Sequence, residues 1–155
     1  MNEIRAFVGH SFAVDDKELV DKFLQYFNRL QVSHQNFSWE SAEDAEPRIL
    51  SKKVLSKMNK RNVFIGICTR KERVIEPGLL SATKLPTGYL KGKQEDFLWK
   101  TSDWIIQEIG LATGLGLELL LLIEDGVRKP GGIQGDVMSW LYITTLRSLR
   151  RNARR

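Results

Sequence analysis

Four short strand-like runs, each separated from the next by a stretch with helical periodicity, constrain this chain more than any other feature. Ile4 to Val8, broken only by Arg5, ends in the turn-like Gly9-His10-Ser11 and reads as a strand feeding a loop. Asn36 to Trp39 is a second, short strand. Val63 to Cys68 and Leu119 to Ile123 are continuous apolar runs, the pattern of strands buried on both faces of a parallel sheet. Between them lie three helices. The first carries Leu19, Val20, Phe23, Leu24, Phe27 and Leu30 at intervals of three and four, with Asp15 and Glu18 placed as an approximate capping box. The second opens at Pro47 and presents Leu50, Val54 and Met58 on one face. The third opens at Asp103 and stops at Gly114 or Gly116.

Strand and helix in strict alternation imply right-handed crossovers and a parallel sheet covered on both sides. The expected fold is therefore three-layer α/β, a flavodoxin-like arrangement with a central parallel sheet of about five strands. Two segments do not fit the alternation. Arg70 to Ser102 holds Pro77-Gly78, Pro86, Thr87-Gly88 and several large aromatics, and a connection of that length in a compact domain is often functional. Trp140 to Thr145 has strand-like composition but runs into a helix-like basic end, so its state stays open.

At 155 residues the chain has room for one domain with a real core. The sequence places that domain at 1–146, with a basic tail at 147–155. Arg147, Arg150, Arg151, Arg154 and Arg155 carry as many positive charges as the whole net charge of +5. The body has no basic bias, and nucleic-acid binding is not expected of it. No apolar run reaches the ~18 residues that span a bilayer, and the start leads straight into a strand, which together predict a cytoplasmic protein without membrane contact. Cys68 is the only cysteine; with only His10 and His34 beside it, a structural zinc site is not expected, and Cys68 reads as a core thiol.

The familiar catalytic motifs are missing. Gly110, Gly114 and Gly116 lie between a helix and a strand, whereas a dinucleotide fingerprint follows a strand and opens a helix. The segment from Gly88 to Gln94 lacks the spacing and the final hydroxyl residue of a phosphate-binding P-loop. No serine triad or paired-histidine metal motif stands out. A carboxylate remains. Ligands of open parallel sheets bind at the carboxyl ends of the strands, near a switch in strand order. Glu108 lies early in the helix that follows the third strand's loop, with Trp104 and Ala112 one turn to either side. A glutamate in that position is partly desolvated, although a surface glutamate bordering a core has the same spacing.

From Ile4 to about Asp136 the chain resembles the Toll/interleukin receptor (TIR) family, bacterial TIR-like proteins in particular. Ala6-Phe7-Val8-Gly9-His10-Ser11 is similar to that family's first strand and loop, often F-[IV]-S-H-S, with Gly9 in place of serine. Trp39-Glu40 through Glu46-Pro47 sits where the loop after the second strand belongs, without the usual glycine. Ser102-x-Trp104-x-x-x-Glu108 is similar to S-x-W-C-x-x-E, with Ile105 in place of cysteine. The resemblance implies a metal-independent NAD nucleosidase without a bound cofactor. Glu108 would cleave NAD, the substrate, into nicotinamide and ADP-ribose or a cyclic ADP-ribose. His10, Ser11, Phe12, Trp39, Arg70 and Trp104 would line the NAD pocket. It further implies self-association through TIR–TIR contacts, a fused or separate sensor component, and a role in bacterial antiphage defence or signalling. The alternative it leaves open is a non-catalytic TIR interaction module.

Overall fold

A computed structural model of the chain describes residues 3–42, 47–82, 88–131 and 138–143. The acidic residues Glu43, Asp44 and Glu46 and the arginine-rich tail lie outside the described residues.

Five strands form one sheet in the order β2-β1-β3-β8-β9, comprising β1 (Ile4–Gly9), β2 (Phe37–Ser41), β3 (Val63–Cys68), β8 (Glu118–Glu124) and β9 (Met138–Ile143). Every pairing is parallel. In register, Ala6 stands between Trp39 and Val63, Gly9 opposes Gly66, and Cys68 opposes Ile123. The alternation of side chains in each strand divides the core in two. Phe7, Phe64, Cys68, Leu119, Leu121 and Ile123 face α2 (Pro47–Met58) and α3 (Asp103–Gly114), which contribute Val54, Met58, Ile105, Ile109 and Ala112. Ala6, Val8, Ile65, Ile67 and Leu122 face α1 (Lys17–Ser33), which contributes Phe27 with Phe23, Leu24 and Leu30 beside it. This is the expected three-layer, flavodoxin-like architecture.

The helix ends follow local chemistry. Ser102, extended at φ −65° and ψ 147°, caps α3 by accepting from the Ile105 amide at 3.4 Å. At the other end Gly116 takes φ +72°, and the Leu117 and Gly116 amides donate to the Ala112 and Thr113 carbonyls at 3.0 Å each, a Schellman stop. The capping box expected of Asp15 and Glu18 does not form. A 3₁₀ turn, Val14–Asp16, runs into α1, so Asp16 is already helical at φ −95° and ψ −14° and its side chain makes no cap. Glu18 instead accepts from Lys22 at 2.7 Å on the exposed face.

Two differences from the sequence reading concern the irregular segments. The stretch after β3 contains β4 (Glu72–Val74) paired antiparallel with β7 (Leu98–Lys100), and β5 (Ser81–Ala82) paired antiparallel with β6 (Leu90–Lys91). Arg73 organises the first pair. Its guanidinium lies over Phe97 and Trp99, 5.7 and 5.2 Å from the ring centroids, and donates to the Gln94 and Phe97 carbonyls at 2.9 and 3.0 Å. The segment left open near Trp140 is the parallel edge strand β9, with Trp140, Leu141 and Tyr142 all exposed.

Candidate active site at the carboxyl edge of the sheet

The strand order reverses at β1, so the loops leaving β1 and β3 part at the carboxyl edge of the sheet and open a crevice there. A cavity of about 270 Å³ occupies it, lined by Ala13, Asp15, Asp16, Arg70, Lys71 and Trp99. One buried hydrogen bond spans the two loops, from Thr69 Oγ1 to Asp16 Oδ2 at 3.0 Å.

Glu108 enters this edge from the α2/α3 face. It sits in the second turn of α3, 3% exposed, between Trp104 and the buried Ala112. Its Oε2 rests against Gly9, the last residue of β1. Neither carboxylate oxygen has a hydrogen-bond partner among the described residues, and the Trp104 Nε1 is likewise without one. Burial pushes the Glu108 carboxyl up to about 8; the Trp104 indole opposes that only weakly, since the pair falls short of hydrogen-bond geometry. A buried carboxyl without a partner is costly to a fold and needs a reason. Buried carboxyls with raised values concentrate at functional sites, although Glu108 itself lines none of the cavities described for this chain.

The other residues expected around NAD divide among different surroundings. His10 is buried beside the α1 side of the β1 loop, where desolvation lowers its imidazole below the ordinary value against the Ser11 carbonyl and Asp21. Its Nδ1 lies 3.1 Å from the Ser11 carbonyl and its ring 4.8 Å from that of Phe12. These residues, with Lys17, Asp21 and Leu24, line a separate cavity of about 190 Å³. Ser11 Oγ accepts from the Ala13 amide at 3.1 Å and so shapes the loop. Trp39 packs on Phe27 at 5.9 Å between centroids, on the α1 face of the sheet and therefore opposite Glu108. Arg70 lines the crevice, but it also donates from Nε to the Asp125 carbonyl at 2.9 Å and faces the fully buried Glu124 at 3.8 Å. Of the residues expected around NAD, Trp104 is the one placed beside Glu108, with Gly9 against its carboxylate.

Thr69 lies at this edge, and Asp16, Trp99 and Glu124 join it there without any signal in the sequence that singles them out. Asp16 lies beside the expected cap residue Asp15, and Trp99 lies within the irregular connection. Gly9, read in the sequence as part of a turn, is in the structure the last residue of β1 with a φ that is not positive, so close approach of Glu108 accounts for it.

Fold and site together define a flavodoxin-like α/β domain with a buried carboxyl, without a hydrogen-bond partner among the described residues, at the carboxyl edge of its sheet. No known family's model matches the chain, and no curated protein matches it in sequence. Among solved structures, it is similar to the CMP N-glycosidase BcmB of Clostridium botulinum, at 14% identity over 97% of this chain and 96% of that one, with a TM-score of 0.49. It is also similar to a conserved protein from Enterococcus faecalis V583, at 8% identity over 96% and 85%, with a TM-score of 0.50. These likenesses concern the fold alone. Among the described residues no helix is long and apolar enough to cross a membrane, and no cluster of His, Cys, Asp and Glu could hold a metal ion.

Proposed function

We propose that this chain is an NAD-cleaving TIR domain in which the Glu108 carboxylate stabilises the ribose centre as nicotinamide departs. The observation that carries this reading is the burial of Glu108, without a hydrogen-bond partner, at the strand-order switch. Nicotinamide in NAD is already a cationic leaving group and needs no proton to depart. The residue required is an anion close to the oxocarbenium-like carbon and the ribose hydroxyls. With its carboxyl raised to about 8, Glu108 is mostly neutral in the empty site at pH 7. The substrate supplies what the empty site lacks: hydroxyl donors and a positive charge, both of which favour the ionised form. The products are nicotinamide with ADP-ribose or its cyclised form, depending on whether water or an adenine nitrogen reaches the ribose carbon. Self-association, a sensor partner and a place in antiphage defence follow from the same TIR resemblance.

The raised carboxyl also favours a second reading, an N-glycosidase for neutral nucleosides or nucleotides. There the departing base needs a proton, and a carboxyl still protonated at pH 7 is suited to donate it. The two readings have opposite pH dependence. If Glu108 must be ionised, kcat/KM for NAD rises with pH and levels off above about 8; if it must be protonated, kcat/KM for a nucleoside monophosphate falls through the same region. Incubation with NAD and with CMP across this range, products separated by chromatography, tests the proposal. Nicotinamide release rising with pH is expected. Base release from CMP with no loss of NAD would overturn it in favour of the second reading.

A further inference from the structure

A second cavity, of about 350 Å³, lies beside the start of α3 and is lined by Lys100, Thr101, Ile106, Arg128, Lys129, Pro130 and Gly131. We propose that it binds the phosphate group of a small molecule, at a site separate from the Glu108 edge. Ile106 and Glu108 are two residues apart on one helix, and at ~100° per residue they point to nearly opposite sides of it. The cavity therefore opens on the side of α3 away from the carboxyl.

Its lining has unused capacity for an anion. Thr101 is 1% exposed, and its hydroxyl has no hydrogen-bond partner among the described residues, leaving a buried donor idle. The exposed Arg128 guanidinium has no ion pair or hydrogen bond among the described residues, so its planar fork of donors is available to phosphate oxygens. The other cations are already committed: Lys100 to Asp103 and to Glu72 at 3.3 Å, and Lys129 to the face of Trp140, 3.3 Å from its centroid. They add positive potential without needing to move. The amino end of a twelve-residue helix borders the cavity and adds to that potential. The backbone around the site is tied down, since the Arg128 amide donates to the Trp99 carbonyl at 2.8 Å and the Val127 amide to the Glu124 carbonyl at 2.9 Å. Ile106 and Pro130 give it an apolar wall suited to the organic part of a phosphorylated ligand.

The test is calorimetric titration of the full chain with inorganic phosphate and with pyrophosphate, in wild type, Arg128→Gln, Thr101→Val and Lys71→Gln. Saturable binding is expected in wild type. Arg128→Gln should weaken it about tenfold or more, the loss of a charge-assisted hydrogen bond, and Thr101→Val should weaken it while the shape is kept. Lys71 lines the crevice between β1 and β3, so Lys71→Gln should leave phosphate binding unchanged. Absence of saturable binding in wild type, binding indifferent to Arg128→Gln, or a loss confined to Lys71→Gln would overturn the proposal. Arg128 is on the surface, so its variant tests the site even if Thr101→Val disturbs the fold. Inorganic phosphate is the deciding probe, since pyrophosphate is also part of NAD and belongs to the proposed reaction site as well.

Discussion

Glu108 Oε2 lies against the backbone of Gly9, where α3 meets the last residue of β1 with no room for a side chain. A Cβ at position 9 would collide with that oxygen and come within 2.8 Å of the Phe64 ring. The glycine is required by close approach and not by its backbone angles.

Gly9→Ala is therefore expected to destabilise the fold by about 1–3 kcal/mol, the usual cost of overfilling a packed site. Gly9→Ser sets a hydroxyl beside the Glu108 carboxylate, so a hydrogen bond to that oxygen should offset part of the same cost. Thermal or denaturant unfolding checks both. A variant as stable as wild type would mean that the Glu108 carboxylate and the Phe64 ring give way at little cost.

The same carboxyl sets a pH dependence of stability. Its folded value of about 8 lies above the ordinary 4.5, so between the two the native chain holds a proton that the unfolded chain has released. Stability from this group is present below about pH 4.5 and is lost as pH rises toward 8. At ~1.4 kcal/mol for each tenfold change in proton affinity, the loss is on the order of 4 kcal/mol. Glu108→Gln removes the titration, so it should be more stable than wild type at pH 8, and the gap should narrow toward pH 5. Denaturant melts at the two pH values measure this; a gap that does not change with pH would contradict the burial of an unpaired carboxyl.

Arg70 is expected to matter to the fold as well as to any ligand. The side chain is 10% exposed and faces Glu124, which is fully buried and also accepts from the Arg70 amide at 2.9 Å. Arg70→Met would remove the cation facing Glu124 and the donor to the Asp125 carbonyl, at a cost of about 3 kcal/mol. In a chain of this size that is a fall in Tm of roughly 10 °C. A variant melting with wild type, but impaired toward NAD, would assign Arg70 to the substrate alone.

How much of this was legible in the sequence varied with how strongly burial writes itself into residue type. β3 is buried on nearly its whole length, and its run, Val63 to Cys68, could be read to the residue. β9 could not, because an edge strand with Trp140, Leu141 and Tyr142 exposed has no two-residue alternation to detect. The pairing of β4 with β7 escaped for a different reason: it is held by Arg73 stacked on Phe97 and Trp99, a contact between residues distant in sequence. At the site, Glu108 could be picked out because Trp104 and Ala112 flank it at one-turn spacing. Trp39 could not be placed, since a residue's position after a strand does not say which face of the sheet it joins. Its packing on Phe27 puts it across the sheet from Glu108.

The central claim is tested most directly by measuring nicotinamide release from NAD by concentrated, self-associated protein, wild type beside Glu108→Gln. The substitution keeps the shape of the side chain and removes its charge. Release by wild type and a drop of at least a hundredfold in the variant, roughly the loss of 2.7 kcal/mol of transition-state stabilisation, is the predicted result. Equal release by both would remove Glu108 from the chemistry, and no release by either, in protein shown to be folded and assembled, would leave a non-catalytic interaction module in place of an enzyme.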